Sequence, residues 1–194
     1  MNVIIFGPPG AGKGTQAQNL VKKLNLYQLS TGDLLRSEIK KKTEIGKKIK
    51  QIIAQGDFVT DDIVNELLKK FITSYNYRNK IIFDGYPRSL SQAKNLRTLL
   101  ESSNQKIDLI IFLNVHKETI IKRITNRAIE ENRGDDIAST IKTRILKYNQ
   151  ETLPVSNFYK NQYNSVYYSI NGNQEIAKLK QENANLKYEL KEVA

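Results

Sequence analysis

The sequence contains no cysteine. That excludes disulfide bridges and a thiolate zinc site, and it is compatible with a reducing cytosol without requiring one. No apolar run approaches the ~20 residues that cross a bilayer. The opening stretch, MNVIIFGPPG, lacks a basic segment ahead of its apolar run and has no small-residue cleavage site. It therefore reads as a strand entering a loop, not a secretion signal. Internal repeats, low-complexity tracts and an obvious interdomain linker are also missing. The single histidine, His116, sits between a strand-like run and a helix start and reads as structural.

What remains is 194 residues, 39% hydrophobic and 26% charged, enough for one soluble domain with its own core. The net charge of +11 suits either a polyanionic partner or a lysine-rich surface. Lys40, Lys41, Lys42, Lys47, Lys48 and Lys50 gather in helix-like stretches, which favours the surface reading for the lysines. The arginines recur beside motif letters instead.

Short apolar runs at 3–6, 27–29, 80–84, 108–113 and 165–170 predict strands. Helical patterns lie between them. One starts at Lys13, with Ala17, Leu20, Val21 and Leu24 on one face, and another follows the capping oxygens of STGD at 30–33. Further patterns cover Thr43–Gln55, Asp61–Ser74 with Thr60 as its cap, 89–100, Lys117–Ile129 and Asp136–Gln150. Strands alternating with helices predict an α/β fold, a parallel sheet covered on both faces.

The first strand runs into GPPGAGKGTQ at 7–16. Glycines here let successive backbone N–H groups turn inward toward a polyphosphate at the helix start, and Lys13 supplies a mobile positive charge. Phosphate loops usually carry Ser or Thr directly after that lysine, as a magnesium ligand. This chain has Gly14 there, and Thr15 one place later.

Three further segments are LSTGDLLR (29–36), FDGYPRSLSQA (83–93) and RITNRAIEENRGDD (123–136). With the glycine-rich loop, in this order and spacing, they resemble the adenylate kinase family of nucleoside monophosphate kinases, from residue 1 to about 175. The resemblance implies a P-loop kinase fold with a five-stranded parallel sheet, a helical AMP-binding insert at about 30–60 and a lid at about 123–136. It implies phosphoryl transfer from MgATP to AMP, giving two ADP. In this family G-K-G-T is the normal loop, and Mg²⁺ is held mainly by phosphates and water, with Asp84 in the supporting position.

Further roles follow from the same resemblance. Gly10, Ala11, Gly12, Lys13, Gly14, Thr15 and Gly172 would contact ATP. Arg123 would stack on the donor adenine and Arg127 would contact donor phosphates, their i, i+4 spacing placing both on one helix face. Arg36 and Arg88 would grip the acceptor phosphate as guanidinium forks. Thr31 and Gln92 would lie near the acceptor base, with Val59 and Gly85 lining the same pocket. Arg133 and Arg144 would stand near the transferred group. Asp135 and Asp136 either pair with these arginines or cap the next helix. Tyr86 stands where Phe is commoner, and Asn132 and Gly134 depart from the usual residues around Arg133.

Thr31 and Gln92 favour AMP, since relatives acting on UMP or CMP tend to differ at both places. A UMP/CMP kinase of the same fold is the nearest alternative, and a nucleotide- or nucleic-acid-binding P-loop protein a more distant one. The lid is short and without cysteine, so no structural zinc is expected. A cytoplasmic monomer acting on ATP, AMP and ADP, with no nucleic-acid or membrane partner, is expected. The last stretch, 176–194, places Ile176, Leu179, Asn183, Leu186, Leu190 and Val193 at heptad spacing. This helix either packs on the core, stands in solvent, joins two copies or is an appended segment.

Overall fold

The computed structural model describes residues 1–130 and 138–173, leaving aside the side chains at 127–130 and 138–139. The expected heptad helix at 176–194 and the lid tip fall outside the described residues.

Five strands, β1 (Val3–Phe6), β2 (Tyr27–Ser30), β3 (Ile81–Asp84), β4 (Leu109–Asn114) and β5 (Tyr167–Asn171), form one sheet in the order β2-β3-β1-β4-β5. Every pairing is parallel. The apolar runs are continuous because both faces are buried. Alternate residues serve opposite sides. Ile4, Phe6, Phe83 and Ile110 enter one core, while Val3, Ile5, Ile82 and Ile111 enter the other.

Eight helices pack on these faces among the described residues: α1 (Lys13–Leu24), α2 (Thr31–Lys40), α3 (Glu44–Ala54), α4 (Asp61–Ile72), α5 (Leu90–Ser102), α6 (Lys117–Glu130), α7 (Ala138–Lys147) and α8 (Leu153–Gln162). Ala17 and Leu20 of α1, with Ile120 and Ile124 of α6, cover one side. Ile49 of α3, Leu68 of α4, Leu96 of α5 and Val155 of α8 cover the other. The caps follow the sequence: Ser30 Oγ accepts the Asp33 N–H, and Thr43 Oγ1 accepts that of Gly46. Thr60 holds the cap position of α4, but its side chain makes no capping bond. Asp61 and Asp62 supply the negative charge there.

The sequence patterns leave α8 unassigned and stop the preceding helix at Gln150. In the structure α7 widens into a π-helical turn at Tyr148–Thr152 and continues into α8. Pro154 lies in the first turn of α8, directly after the π-helical turn.

The first strand is central, and the chain leaves it toward β2 before returning to β3 and crossing to β4. Such a reversal opens a crevice beyond the carboxyl ends of neighbouring strands. The glycine-rich loop follows β1, and Gly85 follows β3.

Candidate active site

The loop Gly7–Gly12 turns the chain from β1 into α1. Gly10 has φ +77°, and a Cβ there would lie 2.6 Å from Ile124 Cγ1 and 3.0 Å from Ile120 O. Only glycine lets the loop pass so close under α6. Gly12, at φ +89°, ends the loop, and Lys13 opens the helix. The Lys13 ammonium donates to the carbonyls of Gly7 (2.8 Å) and Pro8 (2.9 Å), so its charge lies over the loop. Arg123 reaches the loop from α6 and donates from Nη1 to Ala11 O at 3.3 Å. Burial holds its pKa below the ordinary arginine value. Thr15 is exposed in the first turn of α1. Gly172 lies at the end of β5, where its N–H meets Asn114 O at 2.8 Å. Leu113 lies beside both Gly7 and Gly172, which puts Gly172 next to the loop.

Beside the loop, β3 ends at Asp84, and Gly85 follows it. Asp84 Oδ2 accepts from Gln28 Nε2 at 3.0 Å, and a Cβ at Gly14 would stand 3.5 Å from the same oxygen. The position where other phosphate loops offer a hydroxyl therefore faces a carboxylate. One carboxylate beside a polyphosphate cradle fits Mg²⁺, which takes few protein oxygens and keeps several waters. Among the described residues no group of three or more His, Cys, Asp or Glu is placed to hold a metal.

Arg88 is anchored through side chain, N–H and carbonyl alike. Its Nε donates to Gly85 O at 2.9 Å, its N–H to Gln92 Oε1 at 2.7 Å, and its carbonyl accepts Thr152 Oγ1 at 3.3 Å. The guanidinium lies 5.0 Å from the Phe58 ring centroid. Its pKa is lowered to about 10, first by burial and then by Arg144 and Arg36, with Asp84 opposing. A cation disfavoured by its surroundings in this way is relieved by an anion.

Two cavities meet here. One is lined by Thr31, Arg36, Val59 and Gln92, and the other by Gly7, Pro9, Lys13 and Tyr148. Phe58, Gly85, Arg88 and Arg144 belong to both. Residues far apart in the chain thus share one wall. Arg36 lies toward solvent at the cavity margin, paired with Asp33. Arg144 comes from α7, which also bonds the insert: Thr140 Oγ1 donates to Ala54 O (3.4 Å), and Lys147 lies 3.1 Å from Asp57.

The predicted residues that come together are Lys13, Thr31, Val59, Gly85, Arg88, Gln92 and Arg144, with Arg36 at the margin and Asp84 beneath. Gly10, Ala11, Gly12, Gly14, Thr15 and Arg123 form or adjoin the loop. Arg127 continues α6 one turn past Arg123, but its side chain lies outside the described residues, as do Arg133, Asp135 and Asp136. Sequence reasoning missed Gln28, Phe58, Asp61, Tyr148 and Thr152. None sits in a motif with its own chemical signature, although Phe58 directly precedes Val59.

The adenylate kinase family model matches residues 5–164. An adenylate kinase of Pelagibacter ubique is 45% identical over 202 aligned residues, covering 91% of this chain and 94% of that protein. One of Phocaeicola vulgatus is 40% identical, covering 84% and 86%. One of Mycoplasma capricolum is 40% identical, covering 82% and 87%. The residues matched by the family model include the glycine-rich loop, the lining of both cavities and the strands β2, β3 and β4, and the chain belongs to the adenylate kinase family.

Proposed function

We propose that this chain transfers the terminal phosphoryl group of MgATP reversibly to AMP, giving two ADP. Family membership carries the activity. The assignment of sites is supported by one observation: the cavity over the glycine-rich loop and the cavity beside the insert at about 30–60 share the wall of Phe58, Gly85, Arg88 and Arg144.

In this reading the loop from Gly10 to Thr15 cradles the ATP phosphates with its N–H groups, and Lys13 leaves its carbonyls for the phosphate oxygens. Arg123, Arg127 and Gly172 complete the donor side. Thr31, Val59, Gly85 and Gln92 hold AMP, with Arg36 and Arg88 on its phosphate. A phosphate oxygen of AMP bonds to the γ-phosphorus as the bond to the β–γ bridging oxygen breaks, and that electron pair leaves on ADP. The attacking oxygen is already anionic, so the protein's task is alignment and charge neutralisation. Arg88 and Arg144, on the wall between the cavities, offset the charge gathered there. Arg133 of the lid joins them. Mg²⁺, when bound, neutralises phosphate charge, and Asp84 is the residue that would hold it, through water. Residues 1–175 form the catalytic unit in this reading.

The test is ADP formation from MgATP with AMP, UMP or CMP as acceptor. AMP is expected to react far faster than either pyrimidine nucleotide. Equal rates with all three would remove the assignment of AMP.

A further inference from the structure

The Gln92 amide is held at both ends. Its Oε1 accepts the backbone N–H of Arg88, and its Nε2 donates to Asp61 Oδ1, each at 2.7 Å. A backbone N–H is satisfied only by an acceptor, and a carboxylate only by a donor. Turning the amide over would set two donors against each other at Arg88 and two acceptors at Asp61. The carboxylate is itself fixed, because Oδ2 accepts from Ser89 Oγ at 2.6 Å. Ser89 in turn caps α5 by accepting the Gln92 N–H at 3.0 Å. Asp61 opens α4 and Ser89 precedes α5, so one carboxylate ties two helix starts around the amide.

Gln92 lines the insert cavity while only 4% exposed, and Asp61 stands behind it. After these bonds Oε1 keeps one lone pair and Nε2 one hydrogen. Thr31 lines the same cavity and spends its proton on Gly85 O (2.7 Å) and Asp84 O (3.1 Å). It offers a ligand only lone pairs.

We infer that Asp61 is a positioning residue that determines base selectivity by locking the orientation of the Gln92 amide. The locked amide accepts from an exocyclic amine and donates to an adjacent unprotonated ring nitrogen, as an adenine edge requires. A 6-oxo base presents the reverse pattern, a protonated ring nitrogen beside a carbonyl, and is refused. The inference rests on reading the insert cavity as the acceptor nucleotide site.

The probe is IMP, which differs from AMP only in that edge. kcat/KM for AMP and for IMP is measured at saturating MgATP in the unaltered protein, Asp61→Asn and Asp61→Ala. A carboxamide at 61 can accept or donate and no longer opposes an inverted amide, and alanine removes that end of the lock altogether, leaving only the Arg88 N–H to orient Gln92. The AMP-to-IMP ratio is expected to fall about 10-fold in both variants, the size of one lost charge-assisted hydrogen bond. KM for MgATP stays unchanged. A ratio equal to the original in both variants, with KM for AMP and IMP raised alike, would mean that Asp61 only holds α4 to α5 and would overturn the inference. Failure of the unaltered protein to phosphorylate AMP would instead overturn the site reading on which it stands.

Discussion

The two sides of the cleft are made of different material. On the loop side the backbone does the work: glycines at positive φ and a lysine resting on carbonyls within its own loop. On the insert side the groups are side chains, several of them held by a partner distant in sequence. Thr31 bonds to residues 53 and 54 positions away, and Asp84 to Gln28 at 56. A backbone cradle binds any polyphosphate, because all phosphates present the same oxygens. A side-chain cradle reads one base, because donors and acceptors there are individually fixed. On the proposed assignment of the two sites, this contrast puts generality on the donor side and selectivity on the acceptor side.

The comparison breaks most severely when one cation is removed from each side. Lys13→Ala is expected to lower kcat by about 10²- to 10³-fold, with KM for AMP nearly unchanged. Arg88→Ala is expected to lower kcat/KM for AMP by about 10²-fold, mostly through KM for AMP rather than for MgATP. Steady-state kinetics with each substrate varied in turn separates the two. Equal effects of both changes on both KM values would merge the sites.

Next in size is an effect on folding confined to the loop. Gly10→Ala adds a methyl 2.6 Å from Ile124 at φ +77° and is expected to cost about 3 kcal/mol in urea unfolding. Gly14→Ala meets Asp84 Oδ2 at an ordinary 3.5 Å and should unfold close to the unaltered chain.

The smallest effect belongs to Tyr86. Its buried hydroxyl donates to Asn65 Oδ1 (2.7 Å) and accepts from Asn95 Nδ2 (3.1 Å), and burial pushes its pKa up to about 12. It is therefore protonated throughout the neutral range. Tyr86→Phe is expected to cost about 1 kcal/mol of stability and to change KM for AMP less than about 3-fold.

The same contrast decides what the sequence made legible. The strands were found to within about two residues because parallel strands buried on both faces must be apolar throughout, as at Val3–Phe6 and Ile81–Asp84. The loop was legible because its glycines and lysine are contiguous. Thr31, Arg88 and Gln92 were placed only by the likeness of their motifs. Their supporting partners were not legible, since Asp61 and Gln92 become neighbours only when α4 packs beside α5. The helix α8 is not read from the sequence pattern, although Val155 and Tyr159 lie fully buried one turn apart in it.

The central claim, two nucleotide sites sharing one wall across which a phosphoryl group passes, is tested most directly by incubating the protein with MgADP alone and measuring its products. The account predicts ATP and AMP appearing in equal amounts without inorganic phosphate. Release of phosphate with no matching ATP would contradict it.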